Sequence, residues 1–128
     1  CEEFVVEGNY QLGGERRALT KFLNQRLSAV FSFNDLMAFG LYREMRAAHL
    51  SVPGDLSIVG FDNVFFGDLV DPPLTTVSQP VDEMGACVVR TLLELIEHHT
   101  LGQEQQHQVF PPRLVVRGST APYREKEV

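Results

Sequence analysis

The sequence predicts an α/β fold: an open, mainly parallel sheet flanked by helices. Short apolar runs alternate with stretches of helical period, in the order βαβαβ, a loop, βα and β. Alternation of this kind builds parallel strands joined by helical crossovers. The run Leu56 to Phe61 is also nearly all apolar, the pattern of a strand covered on both faces.

Each element has its own signal. Phe4-Val5-Val6, bounded by Glu and Gly, reads as a strand. Gly13-Gly14 opens a helix with Leu19, Phe22 and Leu23 on one face and Glu15, Arg16, Arg17 and Lys21 largely on the other. Ser28 to Ser32 is a second strand, running into Asn34-Asp35, either of which can cap a helix. Met37, Leu41, Met45 and Ala48 then form a core stripe, and Pro53-Gly54 marks a turn. After the third strand, Leu56 to Phe61, a loop with Phe65, Phe66, Asp71, Pro72 and Pro73 leads to a short strand, Thr75 to Val77. Pro80 suits the first turn of a long helix, with Asp82 and Glu83 near its positive end. Met84, Val88, Leu92 and Leu95 mark its buried stripe, Cys87 lies on a helical apolar face and is expected in the core, and Gly102 ends the helix. Gln103 to Gln108 is polar. Val109 to Val116 is extended, and Pro111-Pro112 excludes a central strand there.

The chain has 128 residues, 44% hydrophobic and 22% charged, enough for one core but not for two full domains. The expected organisation is one domain over residues 1–122 and a disordered tail over 123–128. No apolar run approaches the ~18 residues that would suggest a membrane span. The start, CEEFVVEG, shows no secretory signal and no initiator Met, and it begins almost inside a strand, so a fragment of a longer protein is expected. Two cysteines, Cys1 and Cys87, are too few for a disulfide framework, which points to the reducing cytoplasm. The net charge is −6, and the arginines are scattered rather than gathered into a basic face, so this chain is not expected to bind nucleic acid directly.

Three strand ends carry polar or aromatic residues: Asn9-Tyr10, Asn34-Asp35 and Asp62-Asn63. In a parallel sheet they gather on one edge, where ligands bind beyond the carboxyl ends of the strands. A carboxylate accepts from hydroxyls, an amide N–H donates, and a ring covers an apolar face, a set suited to a sugar or nucleoside. The plainer alternative makes Asn34 and Asp35 helix caps and Asp62 a turn residue. Enzymatic signals are weak. Gly13-Gly14 is no phosphate loop, Cys87 has no base nearby in a recognisable motif, and adjacent His98-His99 cannot chelate as an i, i+4 pair would. Catalysis, cofactors and metals are not expected.

Three segments resemble the C-terminal half of the lactose-repressor, or galactose-repressor, family of bacterial transcription regulators: AVFSFNDLMAFGLYREMRAAHLSVPGDLSIVGFDN (Ala29 to Asn63), DPPLTTVSQPVDEMG (Asp71 to Gly85) and PPRLVVRGSTAP (Pro111 to Pro122). Their order and spacing match as well. The resemblance implies part of a fold similar to periplasmic sugar-binding proteins, with an effector held between two subdomains. It also implies an operator-reading helix-turn-helix headpiece, expected to be absent from this chain together with the first subdomain and the opening unit of the second. The helix from Pro80 to about Gly102 would pack with that missing subdomain.

Carried over residue by residue, the resemblance makes Tyr10 a ring that stacks on the effector. It makes Asn34, in an N-D-x-M-A motif, a ligand contact. It makes Asp62, in G-F-D, the acid that bonds effector hydroxyls or ring nitrogens. Gln79 lies beside the cleft at the crossover. It further implies a homodimer, with Phe39, Tyr42, Phe65, Phe66 and Leu69 as interface surface; local core packing is the alternative for these. The expected function is effector sensing and dimerisation for a cytoplasmic repressor. The effector would be a sugar, sugar phosphate or nucleoside, and operator DNA would be met only through the headpiece. The alternative is a periplasmic solute-binding protein with the same fold.

Overall fold

The computed structural model describes residues 2–8, 15–98 and 107–123. Tyr10, the Gly13-Gly14 helix entry, Gly102 and the tail from 124 onward lie outside the described residues. After a 3-10 turn at Glu2–Phe4 the elements are α1 (Glu15–Asn24), β1 (Ala29–Phe31), α2 (Asp35–Ala47) and β2 (Ser57–Asp62). A 3-10 turn at Phe65–Asp68, β3 (Thr75–Ser78), α3 (Val81–His98) and β4 (Arg113–Val115) follow. The strands form one sheet in the order β1-β2-β3-β4. The chain divides into two compact units, one built from residues up to 77 with those from 114 onward, the other from 78–113.

In the first unit α2 packs on β2, and α1 packs on α2. The core joins Leu19 and Phe22 of α1, Ala38, Leu41 and Met45 of α2, and Leu56, Ile58 and Leu74 from the sheet side. Full burial of each larger side chain contributes about 2 kcal/mol. Leu41 and Met45 fall on the stripe read from sequence, whereas Met37 is half-buried, Ala48 and Leu23 are exposed, and Ala38 takes an inner place. Glu15 is buried where the helices meet, with its carboxyl group in the space a side chain on Gly40 would occupy. Arg16 and Arg43 both bond Glu44 at 3.1 Å and hold its carboxyl below the usual range. Arg16 is so exposed that its pair adds little stability.

β1 and β2 run parallel, with Ala29 opposite Ser57, Val30 opposite Ile58 and Phe31 opposite Val59. A hydroxyl far along the chain closes the sheet: buried Ser119 donates to the Ile58 carbonyl at 2.6 Å and accepts from the Thr75 amide at 2.7 Å. Three expectations need correction. Phe4–Val6 is not a strand; Phe4 ends a 3-10 turn, and Val5 and Val6 are irregular. β2 is covered fully on one side only, for Ile58 and Gly60 are buried while Val59 and Phe61 are half-buried. In the second unit, the α3 stripe expected to be buried is exposed at Val88, Leu92 and Leu95, with Met84 and Cys87 half-buried.

Tyr42 shows how an α2 side chain braces the loop before β3. Its hydroxyl donates to the Pro72 carbonyl at 2.9 Å. Burial pushes its pKa up to about 12, partly offset by a hydrogen bond with Ser119 and reinforced by the nearby Asp71 charge. The folded state thus favours neutral tyrosine. Its contribution is whole below pH 10 and is lost as pH rises to about 12, because the unfolded chain ionises first. Tyr42→Phe is expected to cost about 1 kcal/mol at neutral pH and to flatten that alkaline decline. Urea midpoints measured across the interval check both.

Candidate functional site

The parallel pairing delivers Asn34 and Asp62 to one edge of the sheet, since each lies three residues beyond the last paired positions, Phe31 and Val59. Asn34 is the N-cap of α2, with extended backbone, and its side-chain oxygen accepts from the Met37 amide at 2.8 Å. The plainer reading of Asn34 as a cap therefore holds. The side chain's amide nitrogen is a donor by chemistry, while its oxygen already accepts one bond from the helix. Asp62 is exposed at the last position of β2 and can only accept when ionised. A donor and an acceptor on one rim match the two capacities of a hydroxyl.

The backbone at Asp62 is unusual. Its φ is 108° and that of Asn63 is 56°, a conformation side chains oppose. Three anchors hold this turn. The Val64 amide donates to one oxygen of Asp35 at 2.9 Å. The Asn63 amide donates to the Thr76 hydroxyl at 3.4 Å, and that hydroxyl donates to the other Asp35 oxygen at 2.6 Å. The Arg117 guanidinium donates to the Asn63 side-chain oxygen at 2.8 Å, pairs with Asp68 at 2.6 Å and donates to the Leu74 carbonyl at 2.8 Å. Neither Asp35 nor Arg117 stood out as a site residue from sequence. Asp35 shared the cap signal with Asn34. Arg117 carried a signal that could have been read, a charge inside the extended run RLVVRGS.

Tyr10, the expected stacking ring, lies outside the described residues. Aromatic groups at the carboxyl end of β1 include exposed Phe31 and Phe33, and Phe31 packs edge-to-face on Phe61 with ring centres 6.4 Å apart. Gln79 belongs to the second unit, where it is half-buried and its carbonyl accepts from the Val81 amide at 2.9 Å. Of the expected interface residues, Phe39 and Tyr42 are half-buried and pack against the core. Phe65, Phe66 and Leu69 are 75%, 61% and 66% exposed, and the first two rings meet edge-to-face at 5.8 Å.

An apolar groove of about 440 Å³ runs along β1, walled by Phe4, Val6, Phe22, Val30, Phe31 and Met37. Asn34 and Asp62 are not among its lining residues. Among the described residues no three His, Cys, Asp or Glu side chains come together as a metal cage. No described helix is long and apolar enough to cross a membrane.

The family model for the periplasmic binding protein-like domain matches residues 1–120. The regulator MalR of Streptomyces coelicolor is 44% identical over 122 residues, 94% of this chain and 34% of its own length. The ribose operon repressor of Escherichia coli is 36% identical over 118 residues, 91% of this chain and 35% of its length. The crystal structure of a LacI family regulator from Enterococcus faecalis with bound ribose superimposes with a TM-score of 0.86 at 38% identity, covering 93% of this chain and 44% of that one. The chain thus spans about a third of the length of the curated relatives it matches. It belongs to the periplasmic binding protein-like domain family, and its relatives there are LacI-type transcriptional regulators.

Proposed function

We propose that this chain is the effector-sensing part of a DNA-binding transcriptional regulator of the repressor type. The observation that carries the proposal is the shared rim: Asn34, able to donate, and Asp62, able to accept, leave parallel strands on the same edge. Phe31 adds an exposed ring at the same ends of the strands, suited to the apolar face of a sugar. Solved structures of regulators similar to this chain hold ribose and cellobiose, which favours a sugar over a sugar phosphate or nucleoside. The curated relatives are regulators rather than transport proteins or enzymes, which supports a cytoplasmic, non-catalytic role.

Operator reading falls to a headpiece in another part of the longer protein. Phe65, Phe66 and Leu69 offer apolar surface for a homodimer. Regulation then follows if the effector binds two arrangements of the dimer with different affinity. The test is calorimetric titration of the full-length protein with D-ribose, cellobiose, lactose, ribose 5-phosphate and adenosine. At least one sugar is expected to bind and, at a hundred-fold excess over Kd, to stabilise the fold by about 2.7 kcal/mol. Binding by none of the five at millimolar concentration would end the effector reading.

A further inference from the structure

We infer that Asp35 is a positioning residue for the effector site: it locks the turn after Asp62 and thereby sets where the Asp62 carboxylate stands on the rim. The inference rests on the assignment of Asp62 to that site.

Asp35 is fully buried, at 0% exposure. A buried carboxylate is costly unless its oxygens are bonded. Both of them here are spent on the segment that follows Asp62. One accepts from the Val64 amide, and the other holds the Thr76 hydroxyl, which in turn takes the Asn63 amide. One side chain thus directs, itself or through one hydroxyl, the two backbone amides immediately after Asp62. It ties together the start of α2, the end of β2 and the middle of β3. The positive end of α2 also favours a negative charge at its first residue.

The strain gives this arrangement its meaning. Two successive residues with side chains, Asp62 and Asn63, have positive φ. Such conformations cost energy and persist only where surrounding structure over-determines them, most often at working sites. If the turn relaxed, the Asp62 carboxylate would leave the rim it shares with Asn34. Gly60 completes the device, because a side chain there would occupy the place of an Asp35 oxygen.

The experiment uses the full-length protein with Asp35→Asn and Thr76→Val, each alone and combined with Asp62→Asn. In Asp35→Asn the amide keeps the volume of the carboxylate but cannot accept from both partners. Amide hydrogen exchange is read without sugar. Affinity is read by calorimetry with D-ribose, cellobiose and lactose. Exchange at Asn63 and Val64 is expected to rise about ten-fold while that at Ile58 is unchanged, and affinity to fall about ten-fold with Asp62 present. In the Asp62→Asn background the same changes are expected to leave affinity where it was. Equal losses in both backgrounds, or unaltered exchange at Val64, would overturn the positioning role and leave Asp35 a plain core staple. If Asp35→Asn does not fold, Thr76→Val carries the same comparison. If Asp62→Asn alone leaves sugar affinity unchanged, or no sugar binds, the proposed function fails and the positioning role falls with it, a result separate from equal losses.

Discussion

Asp62→Asn in the full-length protein is expected to weaken sugar binding about ten- to a hundred-fold with little change in melting temperature. Removing one charged hydrogen-bond partner costs about 1.5 to 3 kcal/mol, and about 1.4 kcal/mol is ten-fold in Kd. Asparagine is the informative replacement because Asp62 has a φ of 108°. Asn tolerates positive φ better than most residues, so the backbone stays and only the charge goes. Alanine would mix strain with the loss of contact. The side chain is exposed and makes no contribution to the core, so stability and affinity separate. Calorimetry against the tightest sugar of the panel decides it; an unaltered Kd would remove Asp62 from the site.

The largest stability loss is expected from Gly60→Ala. The added methyl would land on an Asp35 oxygen and 2.9 Å from a Leu74 methyl. Both neighbours are 0% exposed, and Asp35 cannot turn aside without breaking its bonds to Val64 and Thr76. Overpacking of this kind costs about 3 kcal/mol, or roughly 10 to 20 °C in the midpoint of a unit this size. Gly85→Ala in α3 is the control. A side chain there meets nothing within 4 Å, and alanine is the better helix former by about 1 kcal/mol. Thermal denaturation of the two variants side by side checks the contrast; similar midpoints would mean that Asp35 can move aside without loss.

What could be read from the chain was whatever is encoded locally. The long apolar run of β2 and the Asn-Asp start of α2 needed no knowledge of neighbours. Phe4–Val6 was misread because a strand exists only when another strand offers it hydrogen bonds, and no local pattern states whether one will. The stripe of α3 marked a helix correctly, yet the same stripe cannot tell what covers it. The alternation of strands and helices put Asn34 and Asp62 at strand ends, but only the family resemblance proposed them, rather than their neighbours, as ligand contacts. Asp35 could not be separated from Asn34, since either can cap. The choice is made by Thr76 and Val64, which are distant in sequence.

The bond of Ser119 to Ile58 spans 61 residues, and its bond to Thr75 spans 44. On the ribosome, a nascent chain halted after Val77 already contains all eight core side chains found among the described residues. It still lacks the hydroxyl that satisfies a buried carbonyl and a buried amide. The second unit has to be synthesised before that hydroxyl emerges. Long-range closure of this kind is slow, and the waiting state exposes sticky surface. During translation, then, the first unit is closed only once Ser119 has been added.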